Sequence, residues 1–370
     1  KPRNILVVDE AHNAESELSK FVEITVTERF SKSMLKLQMP YHKTQVQAYK
    51  WVRDVYFPKL VSYRKHVTAM MEKFSGLKSK LKEFVTLARQ IELLDGHYSK
   101  IKRFLEIYDA DNWVFEVIDA DGRKGRRLQF KPIDVSPYSE DILFRLGRKI
   151  VMMSATILDK EGFCRTLGIP PEEAAFISLP SPFPTENRPI FSFAIGKMSF
   201  KEIDKTLPKL AEAIESILDQ HKNEKGIIHA HSYKIANYLK RNIKSRRILI
   251  HDASNREEVL KRHLSSKKPT VLLSPSMTEG VDLVDEASRF QVVCKVPYPY
   301  LGDKLVKKRM HKWKWWYPLQ TAKTIVQSVG RSVRSDEDHA VTYILDSDFG
   351  YFYSRNKQYF PEGFRSCLKR

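Results

Sequence analysis

Ile5-Leu6-Val7-Val8 runs straight into Asp9-Glu10-Ala11-His12. A short unbroken apolar run is the pattern of a parallel strand buried on both faces. Two carboxylates at its carboxyl end sit where an open α/β sheet binds ligands. Comparable runs recur at 150–153, 190–194, 227–230, 248–250, 271–273, 291–296 and 341–345, alternating with amphipathic stretches such as 207–220 and 233–243. Strand and helix in alternation predict an α/β protein with doubly wound sheets.

Between about residues 21 and 110 the strand pattern gives way to helical periodicity. Leu60, Tyr63, Val67, Met70, Phe74, Leu77, Leu81, Phe84, Ala88 and Ile91 step by three and four, a heptad-like seam that predicts long helices packed lengthwise and broken near Gly76. Pro58 marks the start of this block and Gly96 lies just beyond its expected end. Trp113–Val117 and Leu128–Phe130, flanking Asp121-Gly122, predict a hairpin. The helical block therefore reads as an insertion. Residues 1–20 and 130–177 form a partial first α/β domain, 21–129 the insertion with its hairpin, 178–189 a Pro-rich linker, and 190–370 a second α/β domain.

The 370 residues, 42% hydrophobic and 29% charged, suit a globular protein of two or more domains. No apolar run approaches the roughly 20 residues that span a bilayer, and no signal peptide is expected from the opening residues. Lys and Arg number 64 against 45 Asp and Glu, a formal charge of +19. Such an excess favours a polyanionic partner, nucleic acid before an anionic membrane surface, although a merely soluble basic surface is compatible with it. Cys164, Cys294 and Cys367 lie far apart without ligand-like spacing, so neither a zinc site nor a disulfide framework is expected.

Asp9 and Glu10 stand where an NTPase needs one carboxylate for Mg²⁺ and a second to activate water. The same tetrapeptide could be a strand end with Asp9 capping the next helix. Ser154-Ala155-Thr156 closes the strand at 150–153, again at a carboxyl end. Thr278-Glu279-Gly280-Val281-Asp282 follows the 271–273 strand, with a glycine that permits close backbone approach. In Gln327-x-x-Gly330-Arg331-x-x-Arg334, a helix would bring Gln327, Arg331 and Arg334 to one face at spacings of four and three. Planar, permanently charged guanidiniums suit phosphate oxygens and developing transition-state charge. The order of these motifs, each after a strand or on an expected helix, weighs more than any one of them.

Together these motifs make the chain resemble the XPD/DinG-like helicases of superfamily two, from motif II to motif VI. Asp9-Glu10-Ala11-His12 matches motif II, a DEAH box, and Ser154-Ala155-Thr156 matches motif III. Residues 226–233 resemble motif IV, Glu279-Gly280-Val281-Asp282 motif V, and Gln327 to Arg334 motif VI. Ser181-Pro182-Phe183, Asn187-Arg188 and Val296-Pro297-Tyr298-Pro299 are supporting matches. The resemblance implies two RecA-like motor domains, the first incomplete, with an arch-like helical insertion and ATP bound between the motors. It implies an ATP-dependent, DNA-binding helicase or translocase on single-stranded or forked DNA, moving 5′ to 3′, of a DNA-repair type. Asp9 would bind Mg²⁺ through water and Glu10 would polarise the attacking water. His12, Ser154 and Thr156 would couple hydrolysis to DNA. Gly280, Asp282, Gln327, Arg331 and Arg334 would serve the nucleotide, and Ser232, Tyr233 and Thr278 would lie near the DNA. Lys307, Lys308 and Lys312, in a run rich in cations and tryptophans, are further DNA-contact candidates.

The sequence departs from that pattern in two places. No Gly-x-x-x-x-Gly-Lys-[Ser/Thr] occurs, and only eight residues precede Asp9, so the Walker A half is expected elsewhere and this chain alone is expected to be inactive. An iron–sulfur cluster, which such proteins often carry, would belong to that upstream region. His229 and His231 replace the apolar residues or proline usual in motif IV. The rival reading is a nucleic-acid-binding regulatory module of helicase shape without ATP turnover. A monomer is expected, cytoplasmic and nucleoid-associated if prokaryotic or viral, nuclear if eukaryotic.

Overall fold

The computed structural model describes residues 2–120, 125–252, 254–275 and 283–369. Two units divide them. The first comprises Lys1–Ser154, Phe163–Ala174 and Leu301–Lys312, and the second Ala155–Gly162, Ala175–Tyr300 and Trp313–Arg370.

In the first unit the strands are β1 (Arg3–Val8), β2 (Ile24–Thr27), β3 (Trp113–Ile118), β4 (Arg127–Pro132) and β5 (Gly147–Met152). β1 and β5 pair in parallel with Val7 opposite Val151. That register puts Ile5, Val7 and Val151 on one face, where all three are exposed, while Met152 on the other face packs against the core. The sequence expectation of a strand buried on both faces therefore does not hold for β1, whose sheet is covered on one face only.

β2, β4 and β3 form an antiparallel sheet whose inner face carries Ile24, Val26, Trp113, Leu128 and Phe130 into the core of the insertion. β2 was not expected from the sequence, which showed only helical periodicity there. Its four residues acquire strand structure by pairing with β4, a long-range contact that no local pattern announces.

The expected long helices are Phe57–Phe74 and Leu81–Ile107. Gly76, at φ 80°, reverses the chain between them. They run antiparallel, with Tyr56 Oη 2.7 Å from His97 Nε2, Gln90 Nε2 donating to Tyr63 Oη at 2.7 Å, and Phe57 stacked on Tyr98. Leu60, Val67, Leu94, Ile101 and Phe104 are buried, whereas Leu77 and Leu81 at the reversal are exposed. The second helix runs through Gly96 rather than ending there. A helical glycine costs about 1 kcal/mol, and burial of Leu94, Ile101 and Phe104 offsets it. The Asp121-Gly122 turn lies outside the described residues.

The second unit contains β6 (Ile190–Gly196), β7 (Gly226–His229), β8 (Ile248–Ile250), β9 (Val271–Ser274), β10 (Phe290–Val293), β11 (Val341–Asp346) and β12 (Leu368–Lys369). They form one parallel sheet in the order β12-β6-β11-β10-β7-β9-β8. Successive residues feed opposite layers. Val292, Tyr343 and Leu345 pack with the helices Ile203–Gln220 and Tyr233–Asn242, whereas Val293 and Ile344 pack with Trp316–Val329 and the carboxy-terminal helices. Helices on both faces of a parallel sheet make this a doubly wound unit, so the α/β reading of the sequence holds.

The helix Lys304–Lys312, which the sequence division put with the second domain, groups with the first unit. The cause is Arg309. Buried within a lysine-rich helix, it forms an ion pair with Glu15 at 2.8 Å and donates to the Ile133 carbonyl at 2.8 Å.

Buried His263 and half-buried His97 make the fold acid-sensitive. His263 Nε2 lies 2.8 Å from the Ala287 carbonyl and so must donate, which leaves Nδ1 to accept from Thr270 Oγ1 at 2.9 Å. The neutral ring can make both contacts, donating from Nε2 and accepting at Nδ1, and burial pushes its pKa from 6.5 down to about 4. His97 is likewise pushed down to about 4 by burial, with Lys100 adding to the shift. Both folded values lie below the unfolded one. Their contribution to stability is therefore complete above pH 6.5 and is lost as pH falls toward 4. The loss should reach about 3 kcal/mol per histidine at most. Denaturant titrations at pH 7 and 4.5 check this, and His263→Gln should flatten the fall relative to the parent.

Candidate active site

β1 and β5 end side by side, and their ladder continues past both strands. Met153 N donates to Val8 O, and Ala11 N donates to Met153 O, each at 2.9 Å. This pairing brings Ser154 to the DEAH segment from 142 residues away. Asp9 and Glu10 are both exposed at the carboxyl end of β1. Asp9 Oδ1 accepts from Glu10 N at 2.8 Å, and Glu10 is left-handed, at φ 48° and ψ 40°. A non-glycine residue in that region costs roughly 1–2 kcal/mol, and such strain collects at functional sites. Asp9 does not cap a helix: the short turn Ala11–Asn13 starts from Glu10, and Asn13 precedes the helix Ala14–Val22.

The His12 side chain is largely covered beside this turn. Its Nδ1 lies 2.7 Å from Ser154 Oγ and 3.1 Å from Glu10 Oε2. One ring nitrogen thus lies within reach of both the exposed carboxylate and the hydroxyl. Thr156 is buried in the second unit, so the two hydroxyls of Ser154-Ala155-Thr156 belong to different units.

The donor set around Asp9 suits Mg²⁺ brought by a nucleotide. Magnesium commonly takes one or two carboxylates and fills its octahedron with water and phosphate oxygens. Asp9 offers one oxygen already fixed by an amide and a second beside solvent. Among the described residues no group of three or more His, Cys, Asp or Glu could hold a metal ion.

In the second unit, β7 ends at His229, which stacks on His231 at 5.8 Å. His231 is left-handed, at φ 49°. Ser232 then caps the helix Tyr233–Asn242 by accepting from Ile235 N at 3.5 Å, and Tyr233 is exposed. Burial, with Lys295 nearby, pushes the His231 pKa down to about 4. Thr278, Glu279, Gly280 and Asp282 lie outside the described residues.

The helix expected to align Gln327, Arg331 and Arg334 is Trp316–Val329, and it stops short of both arginines. Gln327 is buried in its last turn, Arg331 is half-buried just beyond it, and Arg334 is exposed in an irregular segment. A shared helical face therefore does not set the arginine positions. Gly330, a poor helix former, occupies the C-cap, and its N–H closes the helix on Val326 O at 3.0 Å.

Lys307 and Lys308 are exposed on the helix Lys304–Lys312. Lys312 is also exposed but forms an ion pair with Asp134 at 3.0 Å. Among the aromatics that follow, Trp316 is buried and Tyr317 stacks on Tyr298 at 6.0 Å. Buried Arg309 is the structural residue that sequence reasoning did not single out, because a cation run does not reveal which member faces inward.

Residues 214–367 match the family model for the helicase C-terminal domain. The probable ATP-dependent helicase MJ0942 of Methanocaldococcus jannaschii is 26% identical over 260 residues, 63% of this chain and 39% of that protein. The ATP-dependent DNA helicase DinG of Photobacterium profundum is 23% identical over 244 residues, 59% of this chain and 34% of that protein. The ATP-dependent DNA helicase CHL1 of Debaryomyces hansenii is 21% identical over 443 residues, 94% of this chain and 53% of that protein. The chain thus spans about a third to a half of the length of these relatives. Among solved structures, Xpd4 of S. tokodaii superposes with a TM-score of 0.59 at 17% identity, covering 99% of this chain and 75% of that one. At that identity the likeness concerns the fold. Residues 214–367 thus match a helicase C-terminal domain, and the chain is similar in sequence to helicases of the DinG and CHL1 kind and in fold to the XPD structures.

Proposed function

We propose that this chain supplies motifs II to VI of an ATP-dependent DNA helicase that translocates 5′ to 3′ on single-stranded or forked DNA. The observation that carries the reading is the contact of His12 Nδ1 with both Glu10 and Ser154 at the ends of adjacent parallel strands. Asp9 would hold Mg²⁺ through water, Glu10 would polarise the attacking water, and His12 would pass changes at Glu10 to Ser154. Thr156 would share the coupling role. Gln327, Arg331, Arg334, Gly280 and Asp282 would serve the nucleotide, and Ser232, Tyr233, Thr278, Lys307, Lys308 and Lys312 the DNA. ATP supplies the phosphoryl group whose hydrolysis drives stepping. The exposed face of β1 and β5 supports a first motor domain completed by a further α/β half bearing the phosphate loop, since the 370 residues contain no Gly-x-x-x-x-Gly-Lys-[Ser/Thr].

The test joins this chain to such a half and measures DNA-stimulated ATP hydrolysis and unwinding of forks with a 5′ or a 3′ tail. Unwinding with the 5′ tail is expected. DNA binding without turnover would instead support a regulatory module. The formal charge of +19 leads to a separate expectation for this chain alone. Single-strand affinity should fall steeply with salt, and replacing Lys307 and Lys308 by Ala should reduce the log–log salt slope by about 1 to 1.5, at about 0.7 for each single-strand phosphate no longer neutralised. Lys312, paired with Asp134, should contribute less. An unchanged slope would remove these lysines from the DNA path.

A further inference from the structure

The helix ends at Val329, before Arg331 and Arg334, yet the segment that carries them is held by buried polar groups at both ends. At the near end, Gln291 on β10 donates from Nε2 to the Val329 carbonyl and, at 2.8 Å, to Thr342 Oγ1. Val329 O is one of the last carbonyls of a helix, which has no partner within the helix itself. Gln291 Oε1 accepts from Ser332 Oγ at 3.3 Å, and Ser332 Oγ lies 2.6 Å from Ser288 Oγ. Gln291, Ser288, Ser332 and Thr342 are all buried.

At the far end the anchor is Asp338, which is also buried. Its Oδ2 accepts from the Arg334 N–H at 3.1 Å and from the Asp285 N–H at 3.3 Å. Its Oδ1 accepts from the His339 N–H at 2.9 Å and from Arg289 Nη1 at 2.6 Å. Arg289 is in turn held by Glu286 at 2.7 Å. Both carboxylate oxygens are fully engaged, and one of their bonds goes to the backbone of an arginine assigned to the nucleotide. Buried networks of this kind impose a single arrangement, because any shift leaves a polar group unsatisfied.

We propose that Asp338 and the Gln291–Ser332 pair are positioning residues that hold the 329–334 backbone so that Arg331 and Arg334 are presented in one fixed geometry. The clamp takes the place of helical alignment. It rests on the nucleotide-facing reading of these arginines given above. Preset guanidinium positions matter because a misplacement of about 1 Å can cost about 10²-fold in rate. The clamp acts through backbone that belongs to the chain whether or not nucleotide is bound, so its effect is measurable on the 370 residues alone.

The first experiment is hydrogen exchange on this chain without nucleotide. Asp338→Asn keeps the size of the side chain and replaces one acceptor oxygen by an NH₂ group. It should speed exchange of the Arg334 amide by about tenfold or more, while amides of β7 and β9 exchange at the parent rate. The second experiment is ATP turnover in the protein that carries the phosphate-loop half. Asp338→Asn should lower kcat by about 30- to 100-fold, with KM for ATP and single-strand affinity within about twofold of the parent. Adding Asp338→Asn to a variant that already carries Arg331→Ala and Arg334→Ala should slow it no further, since a residue acting through the two arginines then has nothing left to position. A purely structural role would predict additive losses and weaker DNA binding. If Arg331→Ala abolishes turnover while Asp338→Asn leaves it within about twofold, the clamp is overturned and the nucleotide assignment stands. If Arg331→Ala and Arg334→Ala both turn over normally, that assignment falls and takes the proposal with it. Should Asp338→Asn fail to fold, Ser332→Ala is judged by the same kcat and exchange criteria, with expected effects of about three- to tenfold.

Discussion

Arg331→Ala is expected to lower DNA-stimulated turnover by about 10³- to 10⁵-fold in the protein joined to its phosphate-loop half, the usual worth of an arginine that meets charge developing on a transferring phosphoryl group. Arg331→Lys should fail almost as badly. The guanidinium is a planar fork matched to phosphate oxygens, whereas an ammonium is a point charge on a mobile stem. Arg331 is half-buried and follows a helix end held through Gln291 and Gly330, so a lysine there cannot swing freely to compensate. Single-strand affinity should persist in both variants. The measurement is ATPase rate beside DNA affinity at one salt concentration. Full turnover with lysine, or lost DNA affinity with normal hydrolysis, would turn the segment into a binding surface.

The second large effect is expected at Glu10. Glu10→Gln keeps the shape of the side chain and removes the base, so hydrolysis should drop by at least about 10²- to 10⁴-fold, the contribution of a positioned general base. Nucleotide binding should survive, because Asp9 and the phosphate loop are untouched. The geometry adds a second consequence. Glu10 Oε2 and Ser154 Oγ share His12 Nδ1, and an amide cannot offer that nitrogen the same charged acceptor. Glu10→Gln should therefore also weaken the dependence of nucleotide affinity on DNA, whereas Ser154→Ala should reduce DNA stimulation while leaving basal hydrolysis nearly intact. Equilibrium nucleotide binding with and without single strand separates the two. Near-normal hydrolysis by Glu10→Gln would end the assignment of Glu10 as the base.

Most strands of the two parallel sheets were legible because apolar runs carry their own signal: β7 and β9, fully buried and built on Ile, Leu and Val, need no knowledge of the partner strand, whereas β1 keeps the apolar run but leaves Ile5 and Val7 exposed. The broken helical seam was legible for the same reason, with Gly76 marking the reversal. The Asp9-Glu10 pair could be found because its two carboxylates follow a strand directly. The rest depended on contacts between distant residues. β2 exists because β4 pairs with it. Gly96 stays helical because Leu94, Ile101 and Phe104 are buried around it. Helix Lys304–Lys312 joins the first unit because one cation in a basic run, Arg309, finds Glu15. At the candidate site the sequence named His12 and Ser154 but only the pairing of β1 with β5 brings them within 2.7 Å. It also named Arg331 and Arg334 but assumed a helix would align them. Tertiary structure instead ends that helix at Val329 and holds the arginine segment from β10 and from Asp338, because buried polar groups far apart in sequence must satisfy one another.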